Sequence, residues 1–522
     1  MPRTRGAGWP SALFIGMSVV GIIASYWKIL KHTTLFTGAL ASTIGSAQEV
    51  LKSNVPALNP QLTNIINNDS LTLYYNGSGP VPDYHELSPV PDPISPLKDL
   101  SAIEDVFLNE FVGIANSTVF PDSCTKCVAE MELMHLAAIT QPVSTVTNIL
   151  IRACNALPGY KSIVYADSCE SEFSGTGGTG PYLAQLFSKM SIATGDMQAL
   201  CHYQYGACDA PQTVLIDESE WFSPKPKQAE IAPQLSGETI NVLHLSDWHL
   251  DPRYDIGSEG NCSQYQCCRP YSTNTDLYTN SKNASIPASR FGSFDCDSPP
   301  DLALSSFESM PSFFSLSDLA FTIFTGDIVS HDRDDHLSQA YVSYSEEVTY
   351  QVFKTMLGSI PVYATLGNHD TLPIAFNTPD NLNPDPTDSS SNALAWNYDL
   401  LSSLWSEYEW LNETEAHHAR NHYGAYAATT KQGLRIISIN TDFWYKSNIF
   451  NFWNYTNPDQ SGMLIFLADE LAACESRSQR AWIIGHVLSG YDGSQPLPNP
   501  TALFYSIIRR FSPATVAGIF FG

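Results

Sequence analysis

Basic residues are scarce in this chain of 522 residues. Lysine and arginine number 26 against 53 aspartates and glutamates, for a formal net charge of −27, and only 15% of the residues are charged. A surface with so few cations repels a phosphate backbone, which excludes a general nucleic-acid-binding protein. The same imbalance disfavours simple electrostatic docking on an anionic membrane. Hydrophobic residues make up 43% of the chain, which excludes a disordered protein, and the length predicts about three domains.

Residues 1–41 predict a signal peptide or a signal anchor. Basic residues flank an apolar run over 11–27 on both sides, and Ala39–Ala41 supplies an A-x-A cleavage motif. The flanking charges do not decide orientation, so an N-terminal membrane anchor stays open as the alternative to cleavage. Residues 42–119 contain a cluster of prolines and predict an extended, pro-like segment.

Glycosylation sequons and cysteines favour an oxidising compartment. Ten of the eleven cysteines fall into two local groups of even count, which is typical of disulfide frameworks, and Cys474 is left over. We therefore expect a protein that is secreted or lies in the lumen of a lysosome or vacuole. The seven N-x-[ST] sequons predict glycosylation at Asn68, Asn76, Asn116, Asn261, Asn283, Asn412 and Asn454.

The first cysteine group lies in a segment with helical patterning, residues 120–210. Apolar residues recur at helical spacing after Pro142 and Pro181, and the Gly-rich stretch Ser171–Gly180 predicts a flexible insertion. A C-x-x-C opens the segment, an inner pair lies midway and a C-x6-C closes it. The C-x-x-C alone would also fit a redox or zinc pair, and spacing leaves the connectivity open. A disulfide-stapled helical cap without a lipid role is the plain alternative.

Residues 211–238 predict a Pro-containing linker, and residues 239–522 alternate strand and helix patterns, which indicates an α/β domain. Predicted strands end in four motifs that suit metal binding, because functional residues gather beyond the carboxyl ends of strands. Carboxylate oxygens mixed with imidazole nitrogens favour zinc, manganese or iron over calcium. Each motif is weak alone, whereas the ordered set is specific. The motifs are D-x-H at 247–249, G-D at 326–327, G-N-H-D at 367–370 and G-H at 485–486.

This ordered set resembles the calcineurin-like metallophosphoesterases, and the six-cysteine segment resembles a saposin-type domain. Together they resemble the acid sphingomyelinase family. The resemblance implies a phosphoesterase β-sandwich flanked by helices, preceded by a small all-α disulfide-stapled domain. It also implies two zinc ions, with Asp247 and His249 on one, Asn368 and His486 on the other, and Asp327 as the bridge.

The resemblance assigns catalytic roles to His331 and His369, either of which would protonate the leaving alkoxide or stabilise charge on phosphorus. For His331 a solvated loop residue is the alternative. The implied reaction converts sphingomyelin, presented from a membrane or lipid particle by the saposin-like domain, to ceramide and phosphocholine. The implied disulfides are Cys124–Cys208, Cys127–Cys201, Cys154–Cys169, Cys262–Cys267 and Cys268–Cys296.

In the family, a strand like that predicted over 514–521 leads into G-H-x-H, whose histidines complete the zinc sites. This sequence ends at Gly522, so we expect each zinc to lack one ligand and the activity to be impaired. Two other functions stay open. One is a phosphodiesterase that acts on nucleotides or polyphosphate, and the other is a non-catalytic secreted lipid-binding protein.

Overall fold

The computed structural model describes residues 101–161, 166–174, 177–191, 193–275, 284–379, 394–490 and 496–522. The predicted signal or anchor, the Pro-rich part of the pro-like segment, Asn68, Asn76 and Asn283 lie outside the described residues.

The first part of the described chain is helical. Its helices turn apolar faces toward a common core in which Met134, Val146 and Leu186 are fully buried. The helices predicted after Pro142 and Pro181 are both present. The helices are α1 (Ser101–Asn116), α2 (Ser123–Thr140), α3 (Val143–Ala156), α4 (Pro158–Lys161), α5 (Cys169–Ser174), α6 (Gly180–Lys189) and α7 (Asp196–Tyr203).

Helix α1 lies inside the segment 42–119 that was predicted to be pro-like and extended. Phe107 and Phe111 are one helical turn apart, and Phe111 is buried in the core that α1 shares with α2 and α3. Arg152 of α3 pairs with Glu104 at 3.3 Å and with Asp105 at 2.5 Å. Helical packing therefore begins before residue 120, because the apolar stripe of α1 covers its two neighbours. The domain limits remain predictions.

Five disulfides are present, and they are the pairs that the family resemblance implies. Three of them staple the helical region, and two tie together the irregular segment that follows the first strand. Cys474 is a buried free thiol. The pairs are Cys124–Cys208, Cys127–Cys201, Cys154–Cys169, Cys262–Cys267 and Cys268–Cys296.

Residues 239–522 form two packed sheets with flanking helices, which confirms the predicted α/β class and the β-sandwich. One sheet is parallel, in the order β1-β2-β3, and the other has the order β4-β5-β6-β7, with only β4 antiparallel to its neighbour. The hydroxyls of Tyr426 and Ser438 donate across the sandwich to the carbonyl of Ala364, at 2.9 and 3.1 Å. The strands are β1 (Asn241–Leu245), β2 (Leu319–Phe324), β3 (Val362–Ala364), β4 (Tyr426–Thr429), β5 (Arg435–Ser438), β6 (Ala481–Ile484) and β7 (Val516–Phe520).

The helices of this region share a hydrophobic core with the two sheets. None of the helices in the described part of the chain combines the length and the apolar character that a membrane-spanning helix needs. The remaining helices are α8 (Pro300–Ser309), α9 (Gln339–Leu357), α10 (Ala395–Glu407), α11 (Glu413–Asn421), α12 (Met463–Ser476) and α13 (Pro498–Phe511).

The strand register brings four loops to one edge of the sandwich. Leu245 of β1 pairs with Phe324 of β2, which pairs with Ala364 of β3, so the three parallel strands end at the same level. The amide of Ile439 donates to the carbonyl of Ile484, which extends the β5–β6 ladder toward that edge. The loops after β1, β2, β3 and β6 therefore converge, and each of them carries one of the four motifs.

Candidate metal centre

The loops after β1 and β2 continue side by side beyond the ends of their strands. The amide of Asp247 donates to the carbonyl of Gly326 at 2.9 Å, and the amide of His249 donates to the carbonyl of Asp327 at 3.0 Å. Asp247, His249 and Asp327 have φ angles of 53°, 39° and 65°, in the left-handed region that side chains other than glycine disfavour. Such strain persists only where neighbouring structure imposes it, and it clusters at functional sites.

Asp370, the last residue of G-N-H-D, fastens the β2 and β3 loops together. Its carboxylate accepts the amides of Asp327 at 3.0 Å, Ile328 at 2.6 Å and Gly367 at 2.8 Å. Burial and the nearby Asp327 charge raise the Asp370 pKa to about 6. Gly367 lies so close to Asp327 that a Cβ there would collide with the Asp327 amide. The two loops are thus held in contact by one buried carboxylate and one glycine.

The structure brings all five predicted metal ligands together. Asp327 Oδ2 lies 3.1 Å from His486 Nε2 and 3.4 Å from His249 Nε2. Asn368 Oδ1 lies 3.0 Å from the same His486 nitrogen. Donor atoms of Asp247, Asp327 and His486 all lie within 4.8 Å of one another. Asp327 is therefore the centre of the cluster.

The hydrogen bonds on the far side of each ring define its tautomer. His249 Nδ1 lies 2.8 Å from the carbonyl of Val329, and His486 Nδ1 lies 2.7 Å from the carbonyl of Thr325. A carbonyl only accepts, so each Nδ1 carries hydrogen, and in the neutral ring each Nε2 has a lone pair directed toward Asp327. Acceptor atoms facing one another repel unless a cation or a proton lies between them. The oxygen and nitrogen donors therefore fit a divalent metal ion of the zinc type.

In the metal-free protein, protons on the imidazoles of His249 and His486 supply this positive charge. Burial lowers the pKa of both imidazoles, but Asp327 raises them by more, to about 9 for His249 and about 10 for His486. Burial raises the pKa of Asp327, but His486 and His249 bring it well below its ordinary value. A bound divalent cation would replace the two imidazole protons, so metal affinity should rise with pH.

Metal-free protein should lose thermal stability as the pH rises from about 6.5 to about 10. The attraction between Asp327 and the protonated His249 and His486 is fully present below the ordinary imidazole pKa of 6.5. It is lost as the pH passes their folded values of about 9 and about 10. In the presence of a chelator we expect Tm to fall by roughly 5 °C or more across this range. Zinc-loaded protein should lose less, because the cation replaces the protons. A chelated protein whose Tm is constant would contradict the assignment.

His331 is oriented by a carboxylate that sequence analysis did not single out. The Asp297 carboxylate accepts the His331 amide at 2.6 Å and bonds His331 Nδ1 at 2.7 Å. Burial raises the pKa of Asp297, but the hydrogen bonds from His331 and its charge lower the pKa by more, so that it lies below its ordinary value. The His331 ring lies 3.9 Å from the ring of His249 and 4.4 Å from that of His369. His331 is therefore held at the cluster, and its Nε2 is the nitrogen left to exchange a proton.

His369 is more enclosed than His331. Its amide donates to Asp327 Oδ1 at 2.8 Å, while its Nδ1 is buried without a hydrogen-bond partner in the described structure. Burial lowers the pKa of His369 to about 4, so the ring is neutral near physiological pH in the metal-free protein. Of the two histidines, His331 therefore has the more exposed side chain.

A buried arginine connects the segments that follow the two site histidines. Arg269 binds the carboxylates of Asp251 and Asp332, the latter at 2.7 Å, and all three side chains are almost fully buried. Asp251 follows His249 by two residues, and Asp332 directly follows His331. The contacts of these residues and of Asp297 could not be predicted from sequence, because nothing in their local pattern distinguishes a partner of a site residue from a surface charge.

Residues 240–490 match the calcineurin-like phosphoesterase family. The chain is 30% identical over 364 residues to sphingomyelin phosphodiesterase B of Dictyostelium discoideum, a match that covers 69% of this chain and 51% of the relative. It is 32% identical over 284 residues to the sphingomyelin phosphodiesterase of Homo sapiens, covering 54% and 41%. A cyclic GMP-AMP phosphodiesterase of Homo sapiens is 32% identical over 290 residues, covering 53% and 55%.

The chain spans about half the length of the curated relatives it matches. The match to the Dictyostelium discoideum protein is longer than residues 239–522, so it extends into the helical region. The matched phosphoesterase residues contain all five predicted ligands, and the helical region has the three disulfides expected of a saposin-like domain. The chain is therefore similar to the sphingomyelin phosphodiesterases, and its candidate metal centre lies in a calcineurin-like phosphoesterase domain.

Proposed function

We propose that this chain is a metal-dependent phosphodiesterase that hydrolyses sphingomyelin to ceramide and phosphocholine. The observation that carries the proposal is the convergence of Asp247, His249, Asn368 and His486 on Asp327 at one edge of the sandwich. That donor set fits two zinc ions, for which Asp327 would be the shared ligand. When bound, the ions would supply an activated water and neutralise the charge of the phosphodiester.

The chain's own residues would supply orientation and proton transfer. In hydrolysis, water adds to phosphorus, the bond from phosphorus to the ceramide oxygen breaks, and that oxygen takes up a proton. His331 is the proposed proton donor, because its Nδ1 is bound by Asp297 and its ring lies against those of His249 and His369. Asp297 would hold the ring through Nδ1 and leave Nε2 as the nitrogen available for proton transfer.

The helical region supports a lipid substrate over a soluble one. Its saposin-like disulfides staple a bundle whose helix α2 exposes Leu136 and Ile139, at 48% and 53% of their surface. A headgroup in a bilayer is not accessible to a recessed site unless a lipid-handling element presents it. The proposed partner is therefore a phospholipid in a membrane or lipid particle. The similarity to sphingomyelin phosphodiesterases supports the same substrate.

A direct comparison of substrates tests the proposal. Purified chain with added zinc should release phosphocholine from sphingomyelin vesicles faster than it cleaves a soluble nucleotide diester at equal phosphate concentration. Metal analysis of the same preparation should find at least one tightly bound zinc per chain. Turnover of the nucleotide diester alone would contradict the lipid substrate. A chain that binds less than one zinc would contradict the metal centre.

A nucleotide phosphodiesterase is the second candidate. The observation in its favour is the similarity to a protein named as a cyclic GMP-AMP phosphodiesterase, at an identity equal to that of the human sphingomyelin phosphodiesterase. The metal centre would serve either substrate, so the helical region is the feature that distinguishes them. A non-catalytic lipid-binding protein is the remaining alternative. It predicts vesicle binding that survives Asp327→Ala, with no zinc-dependent hydrolysis by either form.

We also propose that the protein is secreted or lies in the lumen of a lysosome or vacuole. The four predicted glycosylation sites within the described residues are all exposed, as attached glycans require: Asn116, Asn261, Asn412 and Asn454. The five disulfides support an oxidising compartment. Treating protein from a eukaryotic host with an N-glycosidase should lower its apparent mass, and an unchanged mass would contradict the glycosylation.

A further inference from the structure

The polar loop 331–336 extends from the candidate centre to the helical region. Its first two residues belong to the centre, since His331 binds Asp297 and Asp332 binds Arg269. Its later residues lie against the segment around α5 of the helical region. The loop therefore connects the proposed proton donor to another part of the molecule.

Asp167, just before α5, contacts three residues of this loop. Its carboxylate accepts Arg333 Nη1 at 2.8 Å and lies 3.1 Å from His336 Nε2. Its amide donates to Asp335 Oδ2 at 3.0 Å. The Asp167 side chain is 64% exposed, so these ion pairs contribute little to global stability. Their effect is local, because they fix the later half of a loop whose first residue is His331.

Gly177 supports the loop from the same side. It lies so close to the backbone of Asp334 that a Cβ would collide with the Asp334 carbonyl. On its other side, the Asp334 carboxylate accepts the amide of Ile374 at 2.8 Å, four residues beyond Asp370. The middle of the loop is thus enclosed between the helical region and the loop that follows β3.

We infer that Asp167 and Gly177 are positioning residues for His331, so that the helical region supports the leaving-group step as well as lipid presentation. This inference rests on the proposed phosphodiesterase function and on His331 as its proton donor. It predicts an effect of Asp167 on a soluble substrate, where lipid presentation plays no part. Displacing the loop would move the His331 ring relative to the rings of His249 and His369.

The leaving group provides a readout that a purely structural role would not change. Hydrolysis of a short-chain sphingomyelin in monomeric solution releases a ceramide alkoxide, which needs a proton. Hydrolysis of bis(p-nitrophenyl) phosphate releases p-nitrophenolate, which is stable without one. We expect Asp167→Asn to lower kcat about tenfold on the first substrate, with KM and the second substrate changed less than about twofold. Asp167→Glu should restore part of kcat. Asp209→Asn, an exposed aspartate of the helical region, is the matched control and should match wild type.

Amide hydrogen exchange tests the same inference without activity. Exchange of residues 331–336 should be at least about threefold faster in Asp167→Asn and in Gly177→Val than in wild type or Asp209→Asn. Unchanged exchange in both variants would overturn the inference even if hydrolysis is normal. Equal losses on both substrates would also overturn it. Wild-type protein that hydrolyses neither substrate would instead contradict the proposed function, and hydrogen exchange would still decide the loop contact.

Discussion

Replacing Asp327 with asparagine should lower phosphodiester turnover by about a thousandfold or more. The Asp327 carboxylate is almost fully buried and contacts both His486 and His249, at 3.1 and 3.4 Å. Asparagine keeps the shape and removes the charge that holds cations at this edge. A metal centre supplies several kcal/mol of charge stabilisation in the transition state, and each ~1.4 kcal/mol corresponds to tenfold in rate. The measurement is kcat/KM on sphingomyelin vesicles together with bound zinc.

Asp318→Asn is the matched control, because Asp318 is an exposed aspartate directly before the opposite end of the same strand, β2. It should retain wild-type turnover and metal content. In metal-free Asp327→Asn, the pKa values of His249 and His486 should fall from their raised values, since Asp327 is the main cause of both increases. An Asp327→Asn protein that keeps its zinc and more than about a tenth of its activity would contradict the central role of this residue.

The convergence of the candidate ligands could be predicted from sequence because a general property of parallel sheets brings them together. The motifs lie directly after β1, β2, β3 and β6, and strands in aligned register end at a common edge. Asp297 could not be predicted in this way. It lies in an irregular segment beside Cys296, which a disulfide joins to Cys268, and its contact with His331 spans 34 residues of sequence. The spacing of residues along the sequence does not predict the distance between Asp297 and His331.

The role of the glycines in Ser171–Gly180 was also ambiguous from sequence. The stretch Ser171–Gly180 predicted a flexible insertion, yet α5 occupies its first residues and Gly177 packs against Asp334. A glycine is required both where the chain moves freely and where two backbones approach too closely for a Cβ. Sequence alone does not distinguish these cases. The difference matters here because Gly177 lies on the helical side of the loop that carries His331.

His331→Asn should lower turnover of sphingomyelin by about a hundredfold to a thousandfold, the range for loss of a general acid. Turnover of bis(p-nitrophenyl) phosphate should fall less than about tenfold, since its leaving group needs no proton. Asp297→Asn should lower sphingomyelin turnover by about tenfold, because the asparagine oxygen still accepts from Nδ1 but the charge-assisted hydrogen bond that orients the ring is weakened.

The comparison of the two variants separates catalysis from support of the metal centre. His331 lies beside His249, a candidate ligand, so loss of zinc must be excluded by measuring bound metal in both variants. If both variants retain their metal, a larger loss of turnover on sphingomyelin, whose leaving group is the poorer one, shows that His331 protonates that leaving group. Equal losses on both substrates would transfer that role to another group. A larger effect of Asp297→Asn than of His331→Asn would show that Asp297 acts on the centre by a route other than His331, since a residue that acts only through a neighbour cannot contribute more than that neighbour.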